Sequence, residues 1–209
     1  MSNNMLIFGD SYSTFEGYVP EGYASYYQEG HSKTDVTSVT QTWWHQVMEE
    51  ANLNLVLNNS WGGSTIGYTG YKNADNSKSS SFIYRLNELL KNGFFESNTI
   101  DTVFVFGGTN DSCANAPLGE MDGTDLYCVL PAICHFFKRL REALPHADVY
   151  CLINTHLKPE IAEALKDVSH RHGMTAVAFD YIEKACGHPT IKGMQDIKNG
   201  VLNAMSQRT

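Results

Sequence analysis

Four segments, far apart in the chain, carry groups that together could act on an acyl carbon. Ser11 stands in FGDSYST (8–14) and offers a hydroxyl. Gly62 and Gly63 stand in NNSWGGST (58–65) and offer backbone N–H groups that a ligand can approach closely. Asn110, in GGTND (107–111), brings a carboxamide, and His188, in GHPTIKGM (187–194), brings an imidazole. A nucleophile, donors for a developing oxyanion and a base are the parts that acyl transfer needs. Singly, each has a plainer reading. A serine after a strand commonly caps a helix or closes a turn, Gly-Gly and Asn-Asp make turns, and a histidine before proline is a surface turn residue. The functional reading rests on their joint placement.

That placement comes from the apolar runs. MLIFG (5–9), LNLVLNN (53–59), DTVFVFGG (101–108), ADVYCLIN (147–154) and MTAVAFD (174–180) each read as a buried strand. Helical periodicity fills the gaps at Gln41–Ala51, Ser81–Lys91, Asp125–Leu144, Pro159–His172 and Ile191–Met205, with Thr124 expected to cap the third. The alternation predicts a three-layer α/β/α sandwich on a flavodoxin-like, five-stranded parallel sheet. Ligands bind such sheets beyond the carboxyl ends of the strands. Ser11, the glycine pair and Asn110 follow strands one, two and three, and His188 follows strand five at some distance. A polar, Tyr- and Gly-rich stretch over 12–40 is long for a connection, as functional loops often are. Lys72–Ser81 reads as a polar loop before a helix.

Composition narrows the partners. The 209 residues fit one domain, 1–209, and 42% apolar content is enough for a real core. A net charge of −8 with no basic run argues against nucleic acid and against docking on anionic membranes. No apolar run approaches the roughly 18 residues of a membrane span, so no membrane insertion is expected. MSNNMLIFGDS lacks the basic and apolar regions of a signal peptide, so a cytoplasmic location is expected, with an export signal trimmed from the chain as the alternative. Five cysteines without a CxxC point to reduced thiols, with Cys134 and Cys151 as buried small hydrophobes. No metal is expected: His170 and His172 are two apart, the wrong spacing for one helix face, and there is no HExxH. No cofactor is expected either, since GDSYSTFEG has neither GxGxxG nor a GKS/T to hold phosphate.

In order and content the four segments resemble the sequence blocks of the SGNH hydrolases, also called the GDSL esterase/lipase family, over nearly the whole chain. The resemblance implies the same sandwich and a serine ester hydrolase working through an acyl-enzyme. Carried over by position, it makes Ser11 the nucleophile and His188 the general base. The backbone N–H of Ser11, that of Gly63 (with Gly62 as the neighbouring alternative) and the side chain of Asn110 become the oxyanion donors. The chain departs from the pattern twice. GDSYS replaces GDSL, and Ala185 stands where the family has the acid of Asp-x-x-His.

Three readings of the histidine are therefore open. A backbone carbonyl near 185 or 186 could fix its tautomer in a Ser-His dyad, Glu183 or Asp180 could substitute for the acid, or the site could only bind. Asp10 and Asp111 adjoin motif residues and are expected to shape loops by bonding to backbone. Tyr12, Tyr18, Tyr23, Tyr26, Tyr27, Trp61, Tyr68 and Tyr71 fall in loops near the expected site, where rings suit sugar faces or simply pack the loop. No continuous apolar lid is visible. The substrate expected is a small-molecule or carbohydrate ester with a short, acetyl-type acyl group. The alternative is an impaired, carbohydrate-binding protein on the same fold.

Overall fold

The computed structural model describes residues 3–30 and 33–207. Five parallel strands, β1 (Asn3–Gly9), β2 (Leu53–Ser60), β3 (Thr102–Phe106), β4 (Asp148–Ile153) and β5 (Thr175–Ala178), form one sheet in the order β2-β1-β3-β4-β5. This is the flavodoxin-like order, in which the chain reverses direction of travel across the sheet after β2. All five expected strands are present, within a few residues of their expected limits.

Alternation along the strands divides the core in two. Leu6, Phe8, Val103, Val105, Val149 and Cys151 face one layer. It holds the helices α2 (Phe82–Lys91), α5 (Val129–Ala143) and α6 (Pro159–Arg171). Met5, Ile7, Phe104, Phe106, Tyr150 and Leu152 face the other, built on α1 (Trp43–Glu50) and α7 (Ile191–Ser206). Tyr12, Phe15, Tyr27 and Val36 of the long loop are buried in this second layer. The loop is thus part of the core, which explains how so long a connection is held without regular structure.

Two short helices were not anticipated, α3 (Phe94–Ser97) and α4 (Thr109–Cys113). The second places Asn110 and Asp111 on a helical turn, because β3 already ends at Phe106 and Gly108 turns the chain with φ 92°. The expected Thr124 cap is corrected. The long helix α5 starts at Val129 with Cys128 as its N-cap and no side-chain cap. Its first N–H groups instead donate to Pro117 and Leu118 carbonyls, at 2.8 and 2.9 Å, so the preceding loop supplies what a capping side chain would.

Between β5 and α7 the chain makes a small antiparallel hairpin, β6 (Lys184–Ala185) with β7 (His188–Pro189). Its two-residue turn has positive φ at both positions, 50° at Cys186 and 78° at Gly187. Positive φ at both central residues is the signature of a type I′ turn, whose twist suits a two-residue hairpin. Thr190 then caps α7, accepting from the Gly193 N–H at 3.2 Å.

Candidate active site

The four segments converge at the carboxyl edge of the sheet. Ser11 sits in the turn after β1, where the Asp10 N–H donates to the Phe106 carbonyl at 3.3 Å. The Ser11 hydroxyl lies 2.9 Å from His188 Nε2. His188 Nδ1 lies 3.2 Å from the Cys186 carbonyl, two residues back across the turn. A carbonyl only accepts, so Nδ1 carries the proton and Nε2 is left to accept from Ser11. The first of the three readings of His188 thus matches the geometry. Glu183 is turned elsewhere, its carboxylate accepting from the Thr190 hydroxyl at 2.7 Å.

Aromatic side chains hold the hairpin from below. The Tyr12 hydroxyl donates to the Gly187 carbonyl at 2.8 Å, and the Tyr27 hydroxyl to the Pro189 carbonyl at 2.9 Å. Tyr26 stacks on the His188 ring. Lys184 donates to Asn154 at 3.0 Å and Thr155 at 2.7 Å, tying the hairpin to the end of β4. Asn154 in turn donates to Thr109 at 2.9 Å, beside Asn110. The His188 hairpin, the Ser11 turn and the Asn110 turn are therefore braced by one polar network.

The glycine pair resolves in the same way. The Gly62 N–H is engaged, donating to the Ala24 carbonyl at 2.7 Å. Among the described residues the N–H groups of Gly63 and Ser11 have no protein acceptor. One amide hydrogen of Asn110 goes to the Ser64 carbonyl at 2.8 Å, and its oxygen accepts from the Tyr71 hydroxyl at 2.9 Å. That fixes which end of the carboxamide is the donor and leaves its second hydrogen without an acceptor among the described residues.

Asp10 and Asp111 do shape loops. Asp10 accepts from the Tyr12 N–H at 3.0 Å, and Asp111 from the N–H groups of Ile66 and Gly67 at 3.0 and 3.2 Å. Burial pushes Asp10 up to about 7, with the Tyr12 bond opposing and the Asp111 charge adding. Burial likewise raises Asp111 to about 6 against its backbone bonds. His188 moves the other way. Burial holds it below the usual histidine range, the Cys186 carbonyl opposes this, and Lys33 and Lys184 reinforce it.

Arg85 was missed in the sequence. It is buried, donating to the Gly9 carbonyl at 3.2 Å, to Ser64 Oγ at 3.1 Å, to the Ser80 carbonyl at 2.9 Å and to the Asn59 carbonyl. It therefore joins the ends of β1 and β2 to the glycine loop. The signal was present: a cation at 85 interrupts the buried face of Phe82, Ile83 and Leu86. The remaining aromatics divide as follows. Tyr71 meets Asn110, Tyr23 packs on Trp61 with centroids 4.2 Å apart, Tyr18 packs on Phe15 and Trp44, and Tyr68 packs on Tyr127. Among the described residues no group of His, Cys, Asp and Glu could hold a metal, and no helix is long and apolar enough to cross a membrane.

Comparisons with known proteins point the same way. Residues 3–205 match the family model described as GDSL-like Lipase/Acylhydrolase. A GDSL-like lipase from Bacteroides ovatus superposes with a TM-score of 0.90 at 37% identity, over 99% of each chain. One from Bacteroides uniformis gives 0.89 at 37%, over 99% of this chain and 96% of the other. An acetyl xylan esterase from Butyrivibrio proteoclasticus shares the fold at a TM-score of 0.64 and 18% identity, over 99% of this chain and 64% of its own. A comparison with curated proteins gave no match. With its fold, its four blocks and the matched family model in agreement, the chain belongs to the GDSL-like lipase/acylhydrolase family and is an esterase.

Proposed function

We propose that the protein is a serine carboxylic ester hydrolase that works through an acyl-enzyme on short-acyl, acetyl-type esters, with carbohydrate esters as the substrate class. The observation that carries this reading is the relay of Ser11 Oγ to His188 Nε2 at 2.9 Å and His188 Nδ1 to the Cys186 carbonyl at 3.2 Å. In the first step Nε2 takes the Ser11 proton as Oγ bonds to the acyl carbon. The oxyanion is met by the N–H groups of Ser11 and Gly63 and by the free hydrogen of Asn110. Each such donor is worth roughly 10²–10³ in rate. His188 then gives its proton to the departing alcohol, and water, activated by the same nitrogen, releases the acid.

Two features support a short acyl group and a sugar. The long loop buries Tyr12, Phe15, Tyr27 and Val36 in the core and forms no apolar lid among its described residues, and Trp61, Tyr23 and Tyr71 stand around the glycine loop and Asn110, as rings that face sugars would. Fold neighbours that include an acetyl xylan esterase make acetylated xylan a sensible first polymer to try.

The test is a fluorophosphonate probe followed by intact mass, on wild type, Ser11→Ala and His188→Ala. A single adduct on wild type, lost in both variants, is expected. An unlabelled wild type would overturn the reading and leave a binding protein. Acyl preference is then read from p-nitrophenyl acetate against the octanoate, with the acetate expected to be favoured at least tenfold in kcat/KM.

A further inference from the structure

The ring of Tyr26 lies flat on that of His188, with centroids 3.4 Å apart and planes 9° from parallel. A centroid separation this short leaves almost no sideways offset. Two neutral aromatic rings avoid such a sandwich, because their electron-rich faces repel, and they prefer offset or edge-to-face packing. A cation over an aromatic face is attracted by it. The arrangement therefore suits the protonated imidazolium better than the neutral ring.

The other groups around His188 sharpen the point. Tyr12 and Tyr27 approach at 5.5 and 6.5 Å with planes inclined by 54° and 82°, so neither offers a stacked face. The charges that bear on it, Lys33 and Lys184, are both positive. Among the described residues no carboxylate pairs with it. In serine proteases the carboxylate behind the histidine stabilises the imidazolium that forms in the reaction. Here the Cys186 carbonyl fixes the tautomer but brings no full charge.

We propose that Tyr26 is a positioning residue that supplies part of the missing acid's effect, its ring face stabilising the imidazolium that His188 becomes as Ser11 loses its proton. The ring carries this, not the phenol. Tyr26 Oη is buried and has no hydrogen-bond partner among the described residues. The ring is held in register from two sides, by its own N–H donating to Thr14 Oγ1 at 2.9 Å and by edge packing of Tyr27, with centroids 4.9 Å apart at 77°. The catalytic consequence rests on the proposed esterase mechanism, while the effect on His188 does not.

The experiment compares Tyr26→Phe with the same position carrying a ring-trifluorinated phenylalanine, which keeps shape and burial but drains the ring face. His188 is titrated by NMR in both, in a Ser11→Ala background where no turnover is needed. Tyr26→Phe should titrate like the Tyr26 protein, and the fluorinated ring should titrate lower. In the Ser11 enzymes, kcat for the fluorinated protein should fall roughly three- to thirtyfold against Tyr26→Phe, with KM little changed. Equal titration of the two proteins, or a higher value with the fluorinated ring, overturns the proposal whether or not an ester is turned over. A lower titration with the fluorinated ring, together with a Ser11 protein that the fluorophosphonate fails to label, upholds the stacking effect and sinks only the esterase mechanism.

Discussion

Ala185 stands where the family resemblance implies an acid, and its place in the β6–β7 ladder bears on what an acid there would do. It is paired directly across from His188, so its Cβ and the imidazole project from the same face of the hairpin. An aspartate there would arrive at a histidine whose Nδ1 proton is already held by the Cys186 carbonyl. In serine proteases, neutralising the acid costs about 10⁴ in kcat, largely through the wrong tautomer. That loss cannot be recovered where the tautomer is already right. Ala185→Asp is therefore expected to change kcat by less than about tenfold. A gain of several hundredfold would mean an empty acid position and would sink the dyad. The same residue sets the pH response. In the proposed mechanism His188 is the general base and must be neutral, and burial holds it below the usual histidine range. So kcat/KM should rise with pH along a limb centred below the ordinary histidine value of about 6.5, leaving the enzyme active in mild acid. A limb centred above neutrality would contradict the burial argument.

The element that makes this possible is the β6–β7 hairpin, and its turn carries a testable preference. Cys186 contributes a carbonyl and a left-handed φ of 50°, and nothing in the mechanism uses its thiol. Asn-Gly is the preferred pair for a type I′ turn. Cys186→Asn should keep kcat within about twofold and raise stability by a few tenths of a kcal/mol. Loss of activity in that variant would assign the thiol a role. Gly187→Val, by contrast, places a β-branched side chain at φ 78° with open space around it, so strain alone acts. Stability should drop by about 1–2 kcal/mol, and kcat should drop as Nδ1 loses its acceptor. The hairpin is also where the sequence was least legible. The five strands and five long helices announce themselves through apolar period, which depends only on side chains in one segment. The motif residues were legible because they follow strands. A two-residue ladder has no period to read, and its I′ turn uses Cys-Gly rather than Asn-Gly. The stacking partner of Tyr26 and the acceptors of Arg85 at Asn59 and Gly9 lie more than twenty residues away in sequence, so a cation on the apolar face of its helix was legible but its partners were not. The start of α5 was misread for a related reason, since backbone carbonyls of the preceding loop replaced the expected capping side chain.

At the scale of the molecule, the carboxyl edge of the sheet concentrates buried charge. Asp10, Asp111 and Arg85 are all nearly inaccessible. Burial lowers Arg85 to about 9 and raises Asp10 to about 7. Arg85 is nevertheless held by four backbone and hydroxyl acceptors, while Asp10 Oδ2 has no partner among the described residues. The aspartate is thus the strained member, and linkage gives the sign of its effect. Its folded value lies above the ordinary aspartate value of 3.8. The folded protein therefore holds this proton more tightly than the unfolded chain. The stabilisation is complete in acid, below the unfolded value, and is lost as pH rises through about 7. His135, His172 and His188, all lowered by burial, act oppositely and lose their contribution as pH falls. A wild-type curve alone mixes the two. Asp10→Asn separates them, because an amide copies the neutral acid in shape and does not titrate. The unfolding free energy of wild type minus that of Asp10→Asn, from urea denaturation, should fall by on the order of 2 kcal/mol between about pH 5 and about pH 8. A difference that stays flat would mean that Asp10 is ionised throughout, paired with Arg85 as a buried ion pair, and the sheet edge would then be held by charge rather than strained by it.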